Sequence, residues 1–195
     1  IYCTSATADL LEIMLLDSAH IHEKEAEWRN RKGERAGREP VEPLYTTEDA
    51  MAALKYVVPI LYDTLFEVND NMKAVFNDAG HILGSAIVEL WVTEGETTSK
   101  LVFSGDLGMK NRPILKDPKI IKSADYLIME TTYGDRIHEE NAISISRLVD
   151  IILKTTERGG NVVIPAFAVG RTQEMIFELN KIYDTPGEYR ERLKD

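Results

Sequence analysis

With a single cysteine, Cys3, among its 195 residues, the chain cannot close an internal disulfide, and it suits a reducing compartment. No apolar run reaches the roughly 20 residues that a membrane-spanning helix needs. The N-terminus also lacks the basic-then-apolar order of a secretory signal. Positive charge is scarce: 23 Lys and Arg stand against 33 Asp and Glu, a formal net charge of −10. That balance argues against a module that simply adheres to nucleic acid or to an anionic membrane. It argues less against a metalloenzyme, because divalent cations reverse the local potential where a phosphate must sit. Internal repeats and low-complexity tracts are absent too. A cytoplasmic protein is expected, with no membrane partner. The opening Ile1-Tyr2-Cys3-Thr4 reads as a strand already in progress, as in a piece excised from a longer chain.

What is present is an ordinary globular composition, 44% hydrophobic and 29% charged, long enough for one core or one core and part of a second. Hydroxyls at Thr4, Ser5 and Thr7 precede an apolar run over residues 9–16, which predicts a well-buried first helix. An interruption is expected at residues 17–20, followed by a polar helix from Ile21 into Arg31 and an exposed basic loop over residues 29–38. Thr46-Thr47-Glu48-Asp49 opens a helix running to about Val57. Alternating patterns then predict successive strands at residues 66–68, 73–76, 86–92 and 100–103, with a hairpin through Gly95. A further apolar strand is expected at residues 125–129. Beyond Gly134 the texture becomes α/β: a helix over 141–157, a strand over 161–165 and a helix from Gly170 to Tyr183. The change near residues 135–140 sets the expected domain boundary, giving units 1–136 and 137–195.

Three apolar runs end in small-residue turns that carry a group able to bind a metal or a proton: His81, Asp106 and Glu130. Their separations of about 25 residues are too long for one helix face, so only neighbouring strands can gather them. Each has a plainer reading, a hydrogen-bonded structural histidine for His81 and an Asx turn for Asp106 between Gly105 and Gly108. His20 and His22 mimic a ligand pair but sit in a helical pattern, where a surface role suits them better. His138 lies in a polar, exposed stretch. Gly170-Arg171 at a helix start suits a phosphate, and equally an Arg171–Glu174 pair at helical spacing. Tyr133 suits base stacking or plain packing.

Ala79-Gly80-His81-Ile82-Leu83-Gly84-Ser85-Ala86, Phe103-Ser104-Gly105-Asp106-Leu107-Gly108 and Met129-Glu130-Thr131-Thr132-Tyr133-Gly134 resemble consecutive motifs of the metallo-β-lactamase superfamily. The likeness is strongest to its β-CASP branch of RNA-processing nucleases. Asp17-Ser18-Ala19-His20-Ile21 and residues 165–174 are similar to further blocks of that branch, in the same order. The resemblance implies an α/β fold: part of a metallo-β-lactamase αββα sandwich, then the start of an α/β β-CASP domain. It implies that His81 is a metal ligand, that Asp106 bridges two zinc ions, and that Glu130 orients a histidine acting as general acid. Arg171 and Tyr133 become candidate substrate contacts. A two-metal site of this kind holds its ions ~3.5–4 Å apart and lowers the pKa of bound water from ~15.7 towards ~7, so that hydroxide attacks a phosphodiester. RNA is the implied substrate; self-association is left open.

The departures carry equal information. The family's H-x-H-x-D-H cluster does not occur in these 195 residues, and the later β-CASP histidines would lie beyond Asp195. His81 and Asp106 alone cannot satisfy two zinc ions, since each takes at least three protein ligands. The chain by itself is therefore expected to bind zinc weakly or not at all, and to be inactive. Two alternatives remain: a small-molecule or thioester hydrolase of the same superfamily, and a non-catalytic RNA-processing scaffold.

Overall fold

The computed structural model describes residues 1–34, 37–135, 145–184 and 186–192. Two sheets and their flanking helices make a mixed α/β architecture. Strand β1 (Tyr2–Thr4) runs directly into the 30-residue helix α1 (Ser5–Glu34), which is followed by α2 (Thr47–Leu54) and β2 (Val58–Ile60). β1 and β2 pair in parallel, with Cys3 opposite Pro59. Then come β3 (Leu65–Asn69), β4 (Met72–Asp78), β5 (Ala86–Glu94), β6 (Thr97–Phe103) and β7 (Tyr126–Ile128), a five-stranded sheet in that order. Helices α3 (Ile145–Glu157), α4 (Arg171–Asp184) and α5 (Glu188–Arg192) close the chain.

The antiparallel part follows the alternation of its sequence. β4, β5 and β6 form a meander whose second turn is the two-residue Gly95-Glu96, with Gly95 at φ +61° in the left-handed region that such turns require. Side chains alternate across the sheet. On one face Phe66 lies between Tyr2, at 5.1 Å between ring centroids, and Phe76, at 5.0 Å, and this ties β1 to the sheet. On the other face Ile87, Val102 and Ala79 form a buried cluster against Leu107 and Ile121.

Strand direction decides where the turns gather. β4 and β6 both run antiparallel to β5, and β7 runs parallel to β6, with Phe103 opposite Ile128. β4, β6 and β7 therefore all end at the same edge of the sheet. The turns that follow them carry His81, Asp106 and Glu130.

Several expectations need correction. The first helix is not interrupted at residues 17–20: neither Pro nor Gly stands there, and Ala19 is fully buried while the Tyr45 hydroxyl donates to Ser18 Oγ at 2.7 Å. Nor is it well buried, because apolar residues wrap the whole circumference and only one side is covered, leaving Ile13 70% exposed. The basic stretch expected as loop from residue 29 is helical as far as Glu34. α2 stops at Leu54, three residues before Val57. The apolar stretch 161–165 forms no strand, and Val163 is 85% exposed. The expected domain boundary near 135–140 falls almost wholly outside the described residues, as do His138 and the start of the helix expected from residue 141.

Candidate active site

His81 sits in a loop held from four directions. Gly80 adopts φ +66° and donates its N–H to Asp78 Oδ1 at 2.8 Å, an Asx turn. Ser85 Oγ accepts from the N–H groups of His81 (3.1 Å) and Ile82 (3.3 Å). The hydroxyls of Thr4 and Thr7, where β1 meets α1, donate to Gly84 O at 2.8 and 3.0 Å. The Tyr62 hydroxyl donates to Ser85 O at 2.8 Å.

The Asp106 turn is locked onto that loop. Gly108 donates its N–H to Ala79 O at 2.8 Å, so close that a Cβ on Gly108 would lie 1.6 Å from Gly80 O. Its other side is clamped by β7. Ser104 Oγ, on a buried side chain, accepts from Glu130 N–H at 3.0 Å and donates to Gly105 O at 2.7 Å. Glu130 Oε1 accepts from Leu107 N–H at 2.5 Å. Both neighbours of Asp106 in sequence are thus fixed. The result brings His81 Nε2 to 3.9 Å from Asp106 Oδ2, with both side chains open to solvent.

The Glu130 carboxyl is held below its ordinary value, first by the Leu107 N–H and then by the Thr132 side chain; the nearby His81 adds to this and partial burial opposes it. A carboxylate engaged in this way stays ionised. Tyr133 follows directly, exposed and at φ +60°, beside the turn that Gly134 N–H closes on Thr131 O at 2.9 Å. Arg171 opens α4, and Gly170 before it packs so tightly on Ile82 that a Cβ there would lie 2.9 Å from Ile82 Cγ2. The anticipated pair forms, Arg171 Nη1 to Glu174 Oε2 at 3.4 Å, and Arg112 Nη1 reaches the same oxygen at 3.8 Å. Arg112 belongs to no motif in the sequence, and only the fold sets it against Glu174.

Other candidates fall away. His22 packs edge-on against Tyr45 on α1, with centroids 5.1 Å apart. Burial pushes the Cys3 thiol up, which makes it a poor nucleophile. A groove of about 280 Å³ lined by His22, Ala26, Val41 and Pro43 shares no residue with the His81–Asp106 pair.

Imidazole and carboxylate converging in solvent suit a metal such as zinc in kind, but not in number. Among the described residues no three His, Cys, Asp or Glu side chains converge on one point. His81 and Asp106 by themselves do not make such a site.

A mixed α/β fold with these three strand-end turns at one sheet edge agrees with the resemblance of the motifs to the metallo-β-lactamases. No protein-family model matches the chain. It is similar to ribonuclease TTHA0252 of Thermus thermophilus, 35% identical over 179 residues that cover 92% of this chain and 36% of that protein. Transcription termination factor FttA of Methanocaldococcus jannaschii is 32% identical over 188 residues, 94% of this chain and 27% of the factor. An RNase J-like protein of the same organism is 32% identical over 194 residues, 98% of this chain and 40% of that protein. These relatives are members of the β-CASP branch of the metallo-β-lactamase superfamily, and the chain is similar to them over 92–98% of its own length. It spans about a quarter to two fifths of the length of the curated relatives it matches. No described helix is long and apolar enough to cross a membrane.

Proposed function

We propose that this chain is part of a metal-dependent phosphodiesterase that cleaves RNA in the cytoplasm, with zinc as the metal. The observation that carries the reading is the 3.9 Å approach of the His81 imidazole to the Asp106 carboxylate at a solvent-open sheet edge. The names of the relatives, two of them ribonuclease or RNase J-like and one a termination factor, favour RNA over a small-molecule substrate.

In this reading His81 and Asp106 would be metal ligands, Asp106 shared between two ions, and further ligands would have to come from outside residues 1–195. When bound, a divalent pair supplies Lewis acidity and an activated water near neutral pH. The chain's own contribution is positional. Ser85 and Asp78 fix the loop behind His81; Ser104 and Glu130 fix the turn that aims Asp106. Glu130, held ionised, also meets the requirement for orienting a protonated histidine supplied from elsewhere. Arg171 and Tyr133 are the proposed substrate contacts, one for phosphate and one for a base. Residues 1–136 and 137–195 are assigned to two domains, the metallo-β-lactamase part and the opening of the β-CASP part.

The test is cleavage of an end-labelled RNA by the full-length protein and by its Asp106→Ala variant. Loss of at least 100-fold in rate is expected, on the scale of removing one essential metal-site or electrostatic group. Cleavage at the wild-type rate in that variant rules out the bridging role. A full-length protein that binds RNA and never cleaves it favours the non-catalytic scaffold.

A further inference from the structure

A protein of net charge −10 repels a polyanion, so local cations must guide one to the site. One run of them lies beside it. Between Met109 and Lys122 stand five cations, Lys110, Arg112, Lys116, Lys119 and Lys122, against the single acid Asp117. This segment forms no helix or strand; it wraps the sheet edge at which His81 and Asp106 emerge.

Its placement is fixed by backbone contacts. A Cβ on Gly80, next to His81, would meet Pro118 Cδ at 2.7 Å and Lys116 O at 2.8 Å. Lys119 N–H donates to Asp78 O at 2.9 Å, and Ile121 packs on the buried cluster beneath. Asn111 N–H donates to Asp117 Oδ1 at 2.8 Å, which engages the one acid within the loop itself. Lys119 pairs with Asp63. Among the described residues, Lys110, Lys116 and Lys122 are exposed and make no ion pair. At the other flank, Arg112 shares Glu174 with Arg171, so one largely buried carboxylate holds two guanidiniums where α4 meets the His81 loop.

We propose that the 109–122 loop, together with the Arg112–Glu174–Arg171 group, is the surface that carries the phosphate backbone of a single-stranded polynucleotide to the His81–Asp106 pair. The proposal deepens the ribonuclease reading and rests on it for the choice of RNA. Lysines that are exposed and unpaired supply sequence-independent attraction. The two arginines, pre-positioned by one carboxylate, hold phosphate at the entrance with less ordering cost than free side chains would incur.

The test uses the full-length protein and a fluorescent single-stranded oligoribonucleotide, with affinity measured across a salt series. Replacing Lys110, Lys116 and Lys122 together by Gln is expected to reduce the slope of log affinity against log salt by about 2, at roughly 0.7 per lost single-strand contact. KM rises and kcat stays put. A charge-matched control, Lys32→Gln with Lys55→Gln and Lys154→Gln, leaves the slope unchanged. Arg112→Ala and Glu174→Gln each raise KM, and Glu174→Gln adds little to a variant that already carries Arg112→Ala and Arg171→Ala, because Glu174 acts through the two arginines. An unchanged slope in the loop triple, or an equal fall in the control, overturns the proposal. Single-stranded DNA of the same length separates the two readings: lysine-dependent binding of DNA with none of RNA keeps the loop assignment and defeats the choice of RNA. Binding of neither strand defeats both.

Discussion

Gly108→Ala tests most severely whether the His81 and Asp106 turns are built as one unit. The Cβ of that alanine would stand 1.6 Å from Gly80 O and 2.0 Å from Gly80 C, whereas real Cβ contacts essentially never fall below 3.0 Å. The two turns must therefore separate by at least about 1.4 Å, and both clashing atoms are backbone, which cannot swing aside. That movement breaks the 2.8 Å bond from Gly108 N–H to Ala79 O and pulls Asp106 away from His81. Overpacking costs about 1–3 kcal/mol and the lost hydrogen bond about 1 kcal/mol, roughly 2–4 kcal/mol together. For a chain of this length each kcal/mol lowers Tm by about 2–4 °C, so a fall of roughly 4–16 °C is expected by circular dichroism. Gly95→Ala separates clash from strain: Gly95 has φ +61° but nothing within 4 Å of its virtual Cβ, and the variant should lose only about 1 kcal/mol. A Gly108→Ala protein that melts no lower than Gly95→Ala would refute the interlocked arrangement.

Glu130→Gln keeps an oxygen that can accept from Leu107 N–H, whereas Glu130→Ala does not; thermal unfolding should show the alanine variant less stable by about 1–2 kcal/mol, and equal melting would remove the clamp. Because the Glu130 carboxyl is held below its ordinary 4.5, its stabilisation is present above that pH and is lost as pH falls through the lowered folded value. The acid limb of a stability–pH curve should accordingly be shallower for Glu130→Gln than for wild type. Ser104→Ala removes a buried hydroxyl that serves Glu130 N–H and Gly105 O, at a cost of about 1–3 kcal/mol measured by urea denaturation, and a neutral result would show that water replaces it. Calorimetric titration of residues 1–195 with zinc should give no binding tighter than micromolar, since two ligands fall short of the three a protein zinc site supplies; nanomolar binding would reveal donors not accounted for.

Much of the sheet was legible because its signal is local. Alternation over residues 72–78, 86–94 and 97–103, with Gly95 between the last two, carries both the strands and their pairing. The gathering of His81, Asp106 and Glu130 at one edge follows from strand direction, which small-residue turns after apolar runs only hint at. Less legible was whatever depends on distant partners. β2 hides behind Pro59, and its parallel pairing with β1 spans more than fifty residues. The continuity of α1 through residues 17–20 rests on contacts from Tyr45 and α2, including Glu23 Oε1, which accepts from Thr47 N–H at 2.8 Å. The run 161–165 has strand composition and no strand neighbour among the described residues, so composition alone misled. Arg112 was passed over because a cation in a loop announces nothing until the fold sets it against Glu174.

The account rests on His81 and Asp106 serving one metal centre, and the metal content of the purified full-length protein tests this most directly. Elemental analysis should find about two zinc ions per chain in wild type and a clear loss in both His81→Ala and Asp106→Ala, with each variant still folded by circular dichroism. Full zinc occupancy in either variant would contradict it.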